Sequence, residues 1–175
     1  ELICAEVDGN RFSFSHDSVQ EAITSTLTQE RLADLHAKVG LAFKANSQTM
    51  EAVNHLNLGR AVLNAEQQNQ LHSLNLEAAR LAMRSSAYDF AALCLSQITS
   101  HWDQSPIKQD KSFAVDVYLN QAETFAYLSD QAGMQHCLLS ADCLFETTLQ
   151  RVRGLEIQLF FDINRIQWEA VLDSG

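Results

Sequence analysis

The sequence predicts a mostly α-helical protein that begins with a small β-hairpin and continues as antiparallel helical hairpins. One proline and six glycines occur among 175 residues, and alanine, leucine, glutamine and glutamate are abundant, a composition that favours helices. Near the start, two β-prone runs flank the turn-forming residues 8–10 (Asp-Gly-Asn). Over most of the remaining chain, apolar residues recur at three- and four-residue spacing, which is the helical period.

The hairpin is predicted from residues 2–7 and 11–14, where β-prone side chains end at a turn whose residues tolerate positive φ. Ser15 then stands where a helix N-cap is expected, and Asp17 adds a carboxylate favoured by the positive end of the helix dipole. Apolar residues at helical spacing follow on one face of this first helix: Val19, Ala22, Ile23 and Leu27.

Seven more helices are expected, and the linker at residues 102–110, with Pro106, separates the fourth of them from the fifth. We also predict two domains: residues 1–64, which comprise the hairpin and its linking helices, and residues 65–175, which comprise the helical repeats. Thr28 is predicted to cap the first of the seven, and Ser129 or Asp130 the sixth. The approximate ranges are 28–46, 50–59, 66–84, 86–101, 113–128, 131–148 and 152–172.

Paired helices of this length resemble tetratricopeptide repeats, whose units of about 34 residues place small side chains where two helices cross. Residues 72–105 fit one unit, residues 118–151 fit a second less well, and residues 154–172 would open a third. The resemblance predicts hairpins stacked as a right-handed superhelix. The close-packing positions of the first unit would be Ala78, Ala79, Ala82 and Ala91.

A second resemblance covers residues 12–102. Four segments resemble the region after the ATPase core of STAND-type ATPases and of large bacterial multidomain sensor kinases: residues 12–22 (FSFSHDSVQEA), 30–36 (ERLADLH), 53–60 (VNHLNLGR) and 74–80 (LNLEAAR). In that family the hairpin ends a winged-helix subdomain, and the histidine of a His-Asp motif contacts the phosphates of ADP. The resemblance therefore implies nucleotide sensing by His16, with Asp17 orienting the turn.

Nucleotide sensing needs more than this chain. No Gly-x-x-x-x-Gly-Lys-Ser/Thr loop occurs in the sequence, so the phosphate cradle is missing and no cofactor is expected here. ADP or ATP with Mg²⁺ is implied for a longer parent, an ATPase linked to a serine/threonine or histidine kinase. The start at Glu1 and the end at Gly175 fit a segment of such a parent. In the alternative interpretation, His16 and Asp17 only cap a helix.

The charge and composition of the chain limit the classes of partner and ligand that it is expected to bind. A net charge of −10 and scattered arginines predict binding to neither nucleic acid nor membrane. No leader and no apolar run long enough to span a bilayer occur in the sequence, which predicts a soluble, cytoplasmic protein. Cys4, Cys94, Cys137 and Cys143 lack metal-ligand spacing, so we expect all four to be small core or interface residues and assign no metal ligand, with a zinc site as the lesser alternative.

The sequence contains no catalytic signature, and we predict no enzymatic activity for this chain. The histidines at 36, 55, 72, 101 and 136 are expected on helix surfaces or in hydrogen bonds. The predicted function is a regulatory protein-interaction segment that couples nucleotide state to an output domain. The alternative is an autonomous helical domain that binds a peptide or small effector. Apolar residues on more than one side of 152–172 also predict self-association through that helix.

Overall fold

A computed structural model of the chain describes residues 3–5, 12–14, 21–22, 24–102 and 110–173, with side chains described for 21–22, 24–102 and 110–166. The chain divides into two compact units, unit 1 (Glu1–Leu63) and unit 2 (Asn64–Gly175). Unit 1 contains strands β1 (Ile3–Ala5) and β2 (Phe12–Phe14), helices α1 (Gln29–Ala45) and α2 (Thr49–Leu58), and the 3-10 turn Arg60–Val62. Unit 2 contains α3 (Ala65–Arg84), α4 (Tyr88–Thr99), α5 (Lys111–Tyr127), α6 (Gln131–Asp142) and α7 (Thr148–Asp173).

The predicted fold class is wrong, because the architecture that the structure describes is all-helical. Every described element from α1 to α7 is a helix. Within the described residues, paired strands occur only at β1 and β2, which pair antiparallel over three residue pairs, from Ile3 with Phe14 to Ala5 with Phe12. An isolated two-stranded ladder is at best marginally stable. It therefore adds no β layer to the fold. The assignment of residues 1–64 to a winged-helix end and its linking helices stays a prediction.

Unit 1 is built on the packing of α1 against α2. Thr28 caps α1 as predicted, since its hydroxyl accepts a hydrogen bond of 3.3 Å from the backbone N–H of Arg31. Gly40 on α1 is buried against Leu56, and Gly59 at the end of α2 is buried against the α1 backbone at Ala37. The two helices can approach this closely because neither glycine carries a side chain.

Unit 2 consists of two helical hairpins and a long final helix. Helix α3 pairs with α4 and α5 pairs with α6, while α4 packs on α5 and α7 packs on α5 and α6. Small residues line the crossing of the first hairpin, as predicted: Ala78, Ala79, Ala82 and Ala91 have no exposed surface. The larger side chains that fill the core include Leu71, Leu95, Ile98, Leu119 and Met134.

The three hairpin turns share one backbone conformation. Ser47, Ser86 and Ser129 follow the caps of α1, α3 and α5 with φ of 58°, 60° and 60°. In each turn the next residue donates its N–H to a carbonyl five residues earlier, as Ala87 does to Ala82 at 2.9 Å. These are the hydrogen bonds of the Schellman motif, which closes a helix with a left-handed residue.

The spacing of these turns corrects the predicted repeat. The turn serines lie 39 residues apart between positions 47 and 86, and 43 residues apart between 86 and 129. A tetratricopeptide unit has about 34 residues. The units are longer here because α3 has 20 residues and α5 has 17. The hairpins are present, but their register is not that of the predicted 34-residue superhelix.

The boundary between α6 and α7 also differs from the prediction. Helix α6 ends at Asp142, earlier than expected, and α7 begins at Thr148. The reason is a capping box: Gln150 Oε1 accepts from the N–H of Thr147 at 3.0 Å, and Thr147 Oγ1 accepts from the N–H of Gln150 at 3.3 Å. None of the helices within the described ranges is both long enough and apolar enough to cross a membrane.

Candidate functional site

The predicted nucleotide-sensing residues, His16 and Asp17, lie outside the described residues, as does the predicted cap Ser15. Their role therefore stays a prediction. Three features of the described residues are candidates for function: a histidine pair in unit 1, an aromatic cleft in unit 2, and the outer face of α7.

The histidine pair joins two residues that the sequence separates by nineteen positions. The Nδ1 atoms of His36 on α1 and His55 on α2 lie 2.9 Å apart, and their ring centroids are 5.1 Å apart. Phe43, two turns after His36, also stacks on His55, with ring centroids 5.5 Å apart. The sequence analysis gave His36 and His55 no shared role, because nothing local relates them.

The environment of the pair disfavours the charged form of His55. Its partial burial, and then its repulsion by His36, lower the pKa of His55 from the ordinary value of 6.5. The 2.9 Å separation of the two Nδ1 atoms is that of an N–H···N hydrogen bond. Within the part of the chain that the structure describes, no group of three or more His, Cys, Asp or Glu residues could hold a metal.

The cysteines that the structure describes are free thiols. Cys94 and Cys137 are buried and Cys143 is exposed. Burial raises the pKa of Cys94 to about 12, and burial together with the charge of Asp130 raises the pKa of Cys137 to about 11. Thiols held in the protonated form are poor nucleophiles and poor metal ligands. Cys94 and Cys137 therefore act as small core residues.

The aromatic row of unit 2 connects three helices. Tyr88, at the start of α4, stacks on Tyr127, at the end of α5, with centroids 4.2 Å apart and planes 10° apart. Tyr127 in turn contacts Phe160 in the middle of α7 at 4.8 Å. Burial first, and then the Tyr88 hydroxyl and the Glu123 carboxylate, raise the pKa of Tyr127.

We call the groove beside this row the aromatic cleft. It has two lobes that share Tyr127 and Phe160. The first lobe has a volume of about 350 Å³, and the other residues that line it are Glu123, Arg153, Glu156 and Ile157. The second has a volume of about 510 Å³, and its lining includes Ser129, Gln131, Asn164 and Arg165. Both lobes are lined by residues of α5 and α7, and each adds polar side chains to the shared rings.

Two ion pairs link alternate helices of unit 2. Arg80 on α3 contacts Asp116 on α5 at 3.0 Å, and Arg153 on α7 contacts Glu123 on α5 at 3.2 Å. No basic residue lies three or four positions from Asp116 in the sequence, and its partner belongs to the neighbouring hairpin. Pairs as exposed as Arg80–Asp116 contribute roughly 0–1 kcal/mol to stability. The Arg153–Glu123 pair has a second consequence, because both of its residues line the first lobe of the aromatic cleft and the ion pair holds them together there.

Helix α7 carries apolar residues on two opposite sides. Ile157 and Phe161 are buried in the core of unit 2. We call the other side the outer stripe, and its residues are between 43% and 69% exposed: Val152, Leu155, Leu159, Ile163 and Ile166. Leu159 lies about 200° around the helix from Ile157. The core of unit 2 therefore leaves a complete apolar face of α7 uncovered.

Comparison of the chain with protein-family models, with curated proteins and with solved structures finds no match. The resemblance to STAND-type ATPases and sensor kinases therefore rests on the sequence segments alone.

Proposed function

We propose that this chain is a non-catalytic protein-interaction module whose unit 2 binds an extended segment of a partner protein in the aromatic cleft. The observation that supports this most directly is the row of Tyr88, Tyr127 and Phe160, of which Tyr127 and Phe160 line both lobes of the cleft. Tyrosine and phenylalanine are enriched at protein interfaces because they bury a large area at a low cost in side-chain entropy.

Charge narrows the class of partner. In the first lobe, Glu123 is neutralised by Arg153, and Glu156 adds a second carboxylate beside the rings of Tyr127 and Phe160. A carboxylate next to an aromatic face favours a lysine or arginine side chain, through ionic and cation–π attraction. The chain's net charge of −10 also attracts a basic partner during encounter. We therefore expect the bound segment to carry a basic side chain.

The second lobe offers side chains that can form hydrogen bonds with the bound segment. Gln131 and Asn164 offer amide groups, which can pair with the backbone of an extended segment, and Arg165 offers further donors. The bound segment would place its basic side chain in the first lobe and run along the second. This arrangement matches groove recognition in which rings anchor the segment and polar groups at the rim set its orientation.

The wider role that we propose comes from the sequence resemblance. A module of this kind, placed after the ATPase core of a cytoplasmic signalling protein, would couple nucleotide state to an output domain. Calorimetry of Mg·ADP binding tests this with the chain extended upstream through an ATPase core, with and without His16→Ala. Binding that the substitution weakens would support the coupling role, and binding that is indifferent to it would leave the interaction module alone.

Selection from a phage-displayed random peptide library tests the cleft. We expect the enriched peptides to share a lysine or arginine, and their binding to be lost in a Tyr127→Ala, Phe160→Ala variant. In Glu156→Gln their affinity should fall several-fold, whereas Glu51→Gln, the same change at an exposed site in unit 1, should have no effect. Enrichment that is equal on the cleft variant would overturn the proposal.

A further inference from the structure

The first lobe of the aromatic cleft already contains a basic side chain of the protein itself. Arg153 on α7 donates a hydrogen bond of 3.2 Å from Nη2 to Oε2 of Glu123 on α5, and both residues line the lobe. Their side chains are 38% and 33% exposed, so a solute can reach the pair. The ion pair therefore joins the two helices of the lobe at a carboxylate that a basic segment would otherwise contact.

The pair lies beside the rings of the cleft. Glu123 lies one turn before Tyr127 on α5, and Arg153 lies two turns before Phe160 on α7. The same two helices also meet at the rings, since the centroids of Tyr127 and Phe160 are 4.8 Å apart. Glu156 is three positions after Arg153, which places the two on one face of α7. Arg153 thus occupies the part of the lobe where the basic side chain of a bound segment is expected.

The charges of the lobe show what Arg153 does to such a segment. The residues that line the lobe include two carboxylates, Glu123 and Glu156, and one guanidinium. A basic side chain that replaces Arg153 at Glu123 breaks one ion pair to form another. A basic side chain that contacts Glu156 while Arg153 stays in place meets a like charge. In both cases Arg153 lowers the gain in free energy that the incoming charge would bring.

We propose that Arg153 is a built-in competitor of the bound segment, which occupies Glu123 and sets how strongly the aromatic cleft binds basic side chains. The proposal rests on the proposed function, and it adds the residue that determines specificity. A segment that offers charge alone gains little, because its ion pair replaces an existing one. A segment that also packs on Tyr127 and Phe160 keeps that second gain. The cleft therefore selects segments that combine a basic side chain with apolar contacts.

Titration with acetyl-arginine amide, followed by the NMR signals of the Tyr127 and Phe160 rings, tests the competitor. Arg153→Gln should raise the association constant about two- to fivefold, in keeping with the modest strength of partly exposed ion pairs. Arg153→Lys should bind as the unmodified chain does, because lysine keeps the charge. Arg151→Gln is the matched control, since Arg151 lies on the same helix, pairs with Asp142 at 3.8 Å and does not line either lobe.

Salt dependence gives a second readout, which a change of shape at position 153 would not produce. Salt screens ion pairs that are exposed to solvent. In the unmodified chain the probe exchanges one pair for another, whereas in Arg153→Gln it forms a new pair. The association constant should therefore fall more steeply with added NaCl in Arg153→Gln. Equal slopes in the two proteins would overturn the proposal.

The outcomes distinguish the competitor from the cleft itself. Ring signals that move with equal association constants in the unmodified chain and in Arg153→Gln would overturn the competitor and leave the cleft as a binding site. An equal rise in Arg151→Gln would show that only net charge matters, and it would also overturn the competitor. Ring signals that move in neither protein would overturn both the competitor and the proposed function.

Discussion

His36 and His55 face each other with 2.9 Å between their Nδ1 atoms, on two helices that pack together in unit 1. This contact needs one N–H donor and one lone pair, so the pair accommodates two neutral rings or one proton shared with a charged ring. A second proton would place two N–H groups against each other. The packing of α1 on α2 is thereby linked to the protonation of the pair.

We expect unit 1 to lose stability as the pH falls below 6.5. Burial first, and then the charge of His36, lower the pKa of His55 from 6.5. Because the folded pKa lies below the unfolded one, the unfolded chain binds more protons in this range. The stabilisation present above pH 6.5 is lost as the pH falls through the folded pKa. Amide hydrogen exchange in α1, followed against pH, measures this loss.

The effect of His36 on the pKa of His55 can be measured separately from the effect of burial. In His36→Gln the pKa of His55, read from its NMR titration, should move upward because the repulsion is gone while the burial remains. His136→Gln, an exposed change in unit 2, should leave the pKa of His55 where it was. An unchanged pKa in His36→Gln would show that the two rings do not interact electrostatically.

Gly59→Ala should destabilise unit 1 by about 1–3 kcal/mol, the usual cost of overpacking. A Cβ at this position would lie 2.5 Å from the backbone nitrogen of Ala37 and 2.8 Å from the carbonyl oxygen of Ala33. Backbone atoms cannot rotate away as a side chain can. Faster amide exchange in α1 is the expected readout.

Gly154→Ala is the matched control for that change. Its Cβ would meet Phe145 at 3.4 Å, which is ordinary contact, and Gly154 lies inside α7. Alanine there should stabilise the helix by roughly 0.5–1 kcal/mol, because glycine loses more backbone entropy on folding. If both alanines had the same effect on urea unfolding, close packing at Gly59 would not be the cause.

Ser86→Gly should stabilise unit 2 by about 1 kcal/mol, since residues with a side chain pay a penalty in left-handed backbone and glycine does not. Ser86 has a φ of 60°. Ser85→Gly is the control: Ser85 has a φ of −98° and its hydroxyl donates to the Ala82 carbonyl at 3.0 Å. We expect that change to destabilise, and urea denaturation followed by circular dichroism measures both. A loss of stability in Ser86→Gly would contradict the prediction.

Thiol labelling should separate the described cysteines into two classes. Burial raises the pKa of Cys94 to about 12 and contributes to raising the pKa of Cys137 to about 11, whereas Cys143 is exposed. At pH 8 we expect Ellman's reagent to react with Cys143 in the native chain and with Cys94 and Cys137 only after unfolding. Mass spectrometry of the labelled peptides identifies each site, and rapid native labelling of Cys94 would show that the core around α4 opens readily.

Most of the features that could be predicted from the sequence depend on residues only a few positions apart, such as helix caps and the spacing of small residues. Thr28 as a cap and the alanines of α3 follow from residue type and helical spacing, and both were predicted. The pattern Thr147-Thr-Leu-Gln150 is itself a capping-box signal, and it could have located the start of α7 before the structure did. The turn serines carried a weaker signal, because glycine is the usual residue at a left-handed position.

The sequence by itself determined that this chain is helical, where most of its helices lie, and that α7 has more apolar residues than one buried face requires. Helical period and capping act over a few residues, so the order of residues is enough to reveal them. Only the tertiary structure decided that His36 meets His55, that Arg80 pairs with Asp116, and that Tyr88, Tyr127 and Phe160 form one row. These partners are separated by 19 to 39 residues, and the length of each hairpin and the packing of one hairpin on the next determine which of them meet.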